Sequence, residues 1–355
     1  MAEALEATNF EMKTAIVILN YNGKAHLEKY LPSVIAHTFP PSGRFGETSI
    51  VLADNGSTDD SVSFLKTNFP EIKLLCFDKN YGFAGGYNLA LKEIKADVYV
   101  LLNSDVKVTE GWLTASLQAL ESDETIVACQ PKILSDLKRE YFEHAGAAGG
   151  FIDKLGFPFC RGRILTHLEQ DSGQYNDIAD IFWATGACLF IRAEAFHGAG
   201  GFDSRFFAHM EEIDLCWRLK ARGHRIVCVP ESKVYHLGGG TLKVENPQKT
   251  YLNFRNNLLM LYKNLPENRL RKTLFIRRFF DYAAMTQMLL ACKFGNAREV
   301  VRARRDFRRM RKEMTAERAE NLHLTIMQKP YGIFTRSIVL KYYICRKTTF
   351  KDLNV

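Results

Sequence analysis

Two aspartates, a glycine cluster, a run of acidic residues and one histidine carry the side chains that could act on a charged ligand. Asp54 and Asp105 each follow a short apolar run, in Ser49–Ala53 and in Leu101-Leu102-Asn103-Ser104-Asp105. Between them lies Asn80-Tyr81-Gly82-Phe83-Ala84-Gly85-Gly86-Tyr87-Asn88, a glycine-rich turn opening a helix. Glycine lets the backbone approach a ligand closely, and a helix N-terminus favours phosphate. The segment matches neither the dinucleotide fingerprint nor the P-loop pattern. A carboxylate at a strand end beside such a turn suits Mg²⁺ or Mn²⁺ bridging protein and diphosphate. Taken singly, an Asp after a strand is more often a helix cap, and a glycine cluster is as often only a tight turn.

A second group follows. Glu211-Glu212-Ile213-Asp214 opens a helix ending at Gly223. Carboxylates in a first turn gain from the helix dipole, which is reason enough for their presence. The same placement projects one of them into a rim pocket, where it could take a proton as a general base. His236 precedes Gly238-Gly239-Gly240; a lone histidine is usually structural, but this one could reach a metal or a diphosphate.

These residues need a scaffold that gathers them. Lys13–Leu19, Ser49–Ala53, Ile72–Phe77, Val98–Leu102 and Ile226–Pro230 read as strands. Asp60–Asn68, Ala84–Lys95 and Trp112–Glu121 read as helices between them. Strand and helix in alternation imply a doubly wound α/β sheet, in which ligands sit beyond the carboxyl ends of the strands. Asn20–Gly23, Asp54–Ser57 and Asn103–Asp105 are therefore expected together at one rim.

The chain has 355 residues, 46% hydrophobic and 25% charged, which excludes a disordered, collagen-like or mini-protein class. Eight cysteines show neither CxxC nor zinc-ligand spacing and read as free thiols in a reducing compartment. No apolar run is long enough to cross a bilayer, and the acidic start does not resemble a secretory signal, so a cytoplasmic location is expected. The net charge of +8 is uneven: from residue 249 onward there are 24 Lys and Arg against 8 Asp and Glu. Composition thus divides the chain into an acidic body, 1–248, and a basic, mainly helical region, 249–355.

In that region Asn256–Leu265, Leu270–Phe294 and Arg298–Lys312 read as helices. Arg271, Lys272, Arg277 and Arg278 stand among Phe275, Ile276, Phe279, Phe280, Met288, Leu289 and Leu290, as in helices lying on an anionic membrane surface. A solvated basic face and a homodimer contact are the other readings. Nucleic acid is not expected as a partner, because no recognisable module is present and the body is acidic.

The ordered set AIVILNYNG (15–23), ADNGSTDDS (53–61), NYGFAGGYNLAL (80–91), LLNSDV (101–106), ATGACLFIR (184–192), GGFDSRFFAHMEEIDLCWRLKARG (200–223) and VYHLGGGT (234–241) resembles family 2 glycosyltransferases of the GT-A fold, close to bacterial rhamnosyltransferase-like members. The resemblance covers about residues 13–245 and implies a Rossmann-like, mostly parallel sheet with a C-terminal helical extension. It implies that Asp54 reads the nucleotide base with Asn20 and Asn22 nearby. Asn80, Gly85, Gly86 and Asn88 would line the ribose and diphosphate. Asn103-Ser104-Asp105 holds the DxD position, with Asn103 in place of its first acid, so Asp105 would be the metal ligand and His236 a second. Glu212 falls at the base position where Asp is usual, leaving Glu211 and Asp214 as rivals.

One base and no carboxylate nucleophile imply single displacement with inversion. The implied donor is a nucleotide-diphosphate sugar, with dTDP-rhamnose favoured and a UDP-sugar open. The implied acceptor is a saccharide or lipid-linked saccharide of a cell-surface polysaccharide, met at the inner face of the cell membrane. A sugar-nucleotidyltransferase and an inactive sugar-nucleotide-binding scaffold are the competing expectations.

Overall fold

The computed structural model describes residues 12–38, 46–238 and 246–355. In chain order its first half runs β1 (Thr14–Asn20), α1 (Lys24–Thr38), β2 (Thr48–Asp54), α2 (Ser61–Asn68), β3 (Lys73–Cys76), α3 (Gly82–Lys92), β4 (Val98–Asn103), β5 (Val106–Val108), α4 (Trp112–Ser122) and β6 (Ile126–Ser135). Then come β7 (Gly150–Asp153), β8 (Pro158–Cys160), β9 (Arg163–Ile164), β10 (His167–Leu168), β11 (Ala179–Asp180), β12 (Cys188–Arg192), α5 (Ala193–Gly198), α6 (Glu211–Ala221) and β13 (Arg225–His236). The remainder is α7 (Pro247–Asn264), α8 (Glu267–Leu290), α9 (Phe294–Glu313), α10 (Thr315–His323), β14 (Ile333–Phe334) and α11 (Ile338–Tyr343).

The main sheet has the order β11-β13-β6-β12-β4-β1-β2-β3, with β5 added against β13. β1 is parallel to β2 and β4, and β2 to β3, whereas β12 runs antiparallel between β4 and β6. Side chains alternate across the sheet with the strand period of two. Ala15 and Val17 enter one apolar cluster with Ala84, Tyr87, Ala90 and Leu91 of α3. Ile16 and Ile18 enter the other, with Leu27 and Leu31 of α1 and Trp112 and Leu117 of α4. Both faces are thus covered, which is why β1 reads as an unbroken apolar run.

A second sheet, order β10-β9-β8-β7-β14, is built from strands of two to four residues, too short to show a pattern in sequence, and β14 joins it parallel to β7. Residues beyond 249 share the main core: Leu258, Leu261, Phe307, Phe334, Ile338 and Leu353 lie in the same cluster as Ala15. The basic side chains there divide into two kinds. Arg277, expected among surface cations, is instead 2% exposed and donates to Asp281 at 3.2 Å. Burial forces this pairing, since an isolated guanidinium could not leave water. Arg255, Lys263, Arg304 and Arg318 are buried as well. Five cysteines are buried and all eight are free. Among the described residues no helix is long and apolar enough to cross a membrane.

Candidate active site

The ends of β1, β2 and β4 meet as the parallel register requires, with Asn20 opposite Asp54 and Leu19 opposite Asn103. Asn20 Nδ2 donates to Asp54 Oδ1 at 3.0 Å and to Ser57 Oγ at 3.2 Å, while Ser57 N donates to Asp54 Oδ2 at 2.9 Å. Asn22, at φ 50°, accepts at Oδ1 from Thr58 N at 2.7 Å. These bonds tie the two loops into one wall, and Asp54 is 2% exposed within it.

Asn55 was not singled out in the sequence, yet it pins the glycine-rich turn. Its Nδ2 donates to Asn80 Oδ1 at 3.1 Å and Gly82 O at 3.0 Å, and its Oδ1 accepts from Tyr81 N at 3.0 Å. Asn80 Oδ1 also accepts from Gly82 N at 2.8 Å. A Cβ on Gly86 would stand 2.9 Å from Leu19 Cδ1 and 3.0 Å from Asn55 Nδ2, so α3 rests closely on β1 there and any larger residue would push these side chains aside. Gly85 borders a surface groove of α3 together with Tyr81 and Asn88. Asn88 reaches across to residue 202, donating from Nδ2 to Phe202 O at 2.7 Å and accepting from Phe202 N at 3.0 Å.

Asn103 N donates to Ala187 O at 3.0 Å, and the Ser104 hydroxyl lies beside Gly23. Asp105 sits between β4 and β5, and the pairing of β5 with β13 carries His236 to it. His236 Nε2 is 3.2 Å from Asp105 Oδ1, and Nδ1 is 3.2 Å from Glu143 Oε2 without hydrogen-bond alignment. Burial opposes a proton on His236, but Asp105 and Glu143 outweigh it and raise the imidazole to about 10. Burial likewise opposes ionisation of Asp105, and His236 more than offsets it, leaving the carboxyl below its ordinary range. Glu143 escaped the sequence reading, since its segment carried no motif. The last part of the histidine motif, residues 239–241, lies outside the described residues.

The three rival carboxylates have different surroundings. Asp214 is 0% exposed; its Oδ2 accepts from Arg218 Nε at 3.0 Å and Lys263 Nζ at 2.9 Å, and its Oδ1 from Asn264 Nδ2 at 2.7 Å. Glu211 is buried and Glu212 partly so, and each has an Oε2 with no protein partner. Loss of water around Glu212 pushes its carboxyl up to about 7. Burial, then the neighbouring Glu212, pushes Glu211 well above the carboxylate range.

The turn leading to these residues is strained. Phe207, at φ 65° and ψ −61°, centres a γ-turn closed by Ala208 N donating to Phe206 O at 2.8 Å. His209 and Met210 follow at φ 70° and 74°. Three non-glycine residues in such conformations cost about 1 kcal/mol or more each.

Comparison with known proteins agrees with this geometry. Residues 15–197 match the family described as Glycosyl transferase family 2. The N-acetylglucosaminyl-diphospho-decaprenol L-rhamnosyltransferase of Mycobacterium tuberculosis is 29% identical over 237 residues, covering 62% of this chain and 75% of that protein. Among solved structures, S. aureus TarS 1-349 in complex with UDP superposes with a TM-score of 0.55 at 16% identity, over 87% of this chain and 89% of that one. GalNAc-T7 with UDP, GalNAc and Mn²⁺ gives a TM-score of 0.52 at 19% identity, over 63% and 43%. The two structural likenesses establish the GT-A fold. The match over more than half of the chain, on the strands and turns that build this rim, makes the protein a member of glycosyl transferase family 2, an enzyme that moves sugar from a nucleotide-sugar.

Proposed function

We propose that this enzyme is an inverting transferase that takes a sugar from a nucleotide diphosphate, dTDP-rhamnose before a UDP-sugar, to a lipid-linked saccharide. The observations that support the reading are the pairing of Asp105 with His236 at the strand rim and a helix start in which Glu211 and Glu212 each leave one carboxylate oxygen without a protein partner. The relative's name supports the choice of sugar and acceptor.

Asn20, Asn22 and Asp54 form the wall at the base end of the donor. Asn80, Gly85, Gly86 and Asn88 shape the segment along its ribose and diphosphate, and Asn103 and Ser104 lie beside the metal position. Asp105 and His236 are the residues that would hold Mg²⁺ or Mn²⁺. Among the described residues no group of three His, Cys, Asp or Glu forms a complete cage. Two protein ligands fit a cation that takes its remaining oxygens from diphosphate and water. Such an ion supplies neutralisation of the charge that develops on the leaving diphosphate. Binding it would require His236 to give up its Nε2 proton, and the charge of Glu143, 3.2 Å from the ring's other nitrogen, favours the proton that stays there.

The acceptor hydroxyl cannot ionise alone near neutral pH. Glu212 takes its proton as the acceptor oxygen bonds to C1 of the sugar. The bond from C1 to the diphosphate breaks with its electron pair on the nucleotide. Asp214, neutralised by Arg218 and Lys263, serves as a structural anchor, and burial together with the neighbouring Glu212 favours the neutral form of Glu211.

An acceptor in a lipid would bring the enzyme to the cytoplasmic face of an anionic membrane, and α8 offers the surface. Phe275, Phe279 and Leu290, with Phe294 just beyond, are 62–83% exposed, beside exposed Arg271, Lys272 and Arg278. Between 268 and 298 the sole acid is Asp281, which is buried against Arg277 and Arg304. Apolar rings among cations, with Glu267 at the start of α8 paired to Arg271 as the one exposed carboxylate of the helix, match an anionic lipid surface. A homodimer through the same face is the competing outcome.

The test of the central reading is a thermal-shift panel of dTDP, UDP, GDP and CDP, each with and without Mn²⁺, on the wild type and Asp105→Ala. Stabilisation by one diphosphate that needs both Mn²⁺ and Asp105 is expected. A shift that survives Asp105→Ala unchanged would remove Asp105 from the metal site.

A further inference from the structure

We infer that Asn256 and Arg255, on α7, are positioning residues that hold the base-bearing turn in its reactive conformation, an inference that rests on the reading of Glu212 as the base. Asn256 is 0% exposed and points its amide into the back of the turn. Its Nδ2 lies 2.8 Å from Phe206 O, 2.8 Å from Ala208 O and 2.7 Å from His209 O. Arg255 Nη2 donates to Arg205 O at 2.9 Å and Phe206 O at 3.0 Å. Two adjacent side chains thus serve four carbonyls of one strained turn. Each is itself held: Arg255 Nε donates to Asn256 Oδ1 at 2.8 Å, and Tyr251, 3.4 Å from Arg255 Nη1, donates to Asp306 of α9 at 2.9 Å.

A backbone with positive φ at Phe207, His209 and Met210 persists only where its surroundings over-determine it. Without the amide and guanidinium, the carbonyls of Arg205, Ala208 and His209 would lose these donors and that of Phe206 would keep only Ala208 N, and the turn would relax. Met210 is the N-cap residue of α6, so relaxation there rotates Glu211 and Glu212 directly. The donor turn has its own anchor in Asn55 and meets residues 206–210 at Phe207, whose carbonyl accepts from Ala84 N at 3.2 Å and whose carbonyl and ring stand against Gly82. Losing the clamp therefore moves the base while leaving the nucleotide wall in place. Arg255 and Asn256 lie outside the segment that matches the family, which ends at residue 197.

The test is Asn256→Asp, which keeps the size and replaces the donating amide by an oxygen facing three carbonyls. With dTDP-rhamnose and an N-acetylglucosaminyl diphosphoprenol acceptor, kcat should fall about 10²-fold, as for a base displaced by about 1 Å, with donor KM within about twofold. Deuterium exchange in residues 207–213 should rise about tenfold or more, with residues 50–103 unchanged. Arg255→Gln should show the same pattern more weakly, and decides the matter should Asn256→Asp not fold. Equal losses in kcat and donor affinity, or full turnover with a loosened turn, would overturn the inference. Absence of wild-type turnover with this substrate pair would sink the substrate reading alone. Exchange then still judges the clamp, and an unaltered 207–213 in both variants overturns it.

Discussion

Asp214→Asn and Glu212→Gln separate a structural carboxylate from the one proposed as base, because the two substitutions should move stability and turnover in opposite patterns. The charge of Asp214 faces Arg218 at 3.0 Å and Lys263 at 2.9 Å in a site without solvent. Removing one partner of a buried pair costs about 3–5 kcal/mol, mostly through the charge left behind. The lower end applies here, since Lys263 keeps Asp203 at 3.0 Å and Arg218 keeps the carbonyl of Gly201 at 2.8 Å. For 355 residues unfolding as one cooperative unit, about 3 kcal/mol lowers Tm by about 4 °C. Glu212 is the reverse case. Its carboxyl is pushed up to about 7, so at pH 8 the folded protein bears the cost of an ion that the unfolded chain holds freely. A neutral glutamine removes that cost, and Tm should stay level or rise while kcat falls about 10²–10⁴-fold. Calorimetry and initial rates at saturating donor measure both quantities on the same preparations. An Asp214→Asn enzyme with unchanged Tm and a hundredfold loss of kcat, beside an active Glu212→Gln, would refute the assignment of roles.

Two further outcomes are expected. Because a base must be ionised to work, kcat should rise with pH through about 7 and level off above it, and Glu212→Gln should abolish that limb; a rate that is flat from pH 5.5 upward contradicts the assignment. Phe275→Ser with Phe279→Ser should weaken binding to vesicles containing phosphatidylglycerol at least tenfold without altering Mn²⁺-dependent nucleotide binding. Unchanged vesicle binding with a dimer converted to monomer would reassign the face to self-association.

The strands and the rim were legible because their signals are local. A β-branched run such as Ala15–Leu19 and the Asp or Asn that ends it are neighbours in sequence, so the residues that gather at the rim announce themselves by where a strand stops. Their partners do not. Glu143 reaches His236 only after β6 and β13 have paired, and Asn256 meets the carbonyls of 206–209 from 47 to 50 residues away. Charge was the least legible feature, because pairing rather than identity decides what an arginine does: Arg277 and Arg278 are adjacent, yet one is buried against Asp281 and the other faces solvent. The excess of cations after residue 248 therefore mixes two populations. One neutralises buried carboxylates, as Lys263 does for Asp214 of α6; the other, with Arg278, lies on the surface. A basic extension that appears from composition to be an appendage shares the apolar core of the sheet that carries the candidate site. Its removal should cost turnover even where membrane attachment is irrelevant, as with a water-soluble acceptor.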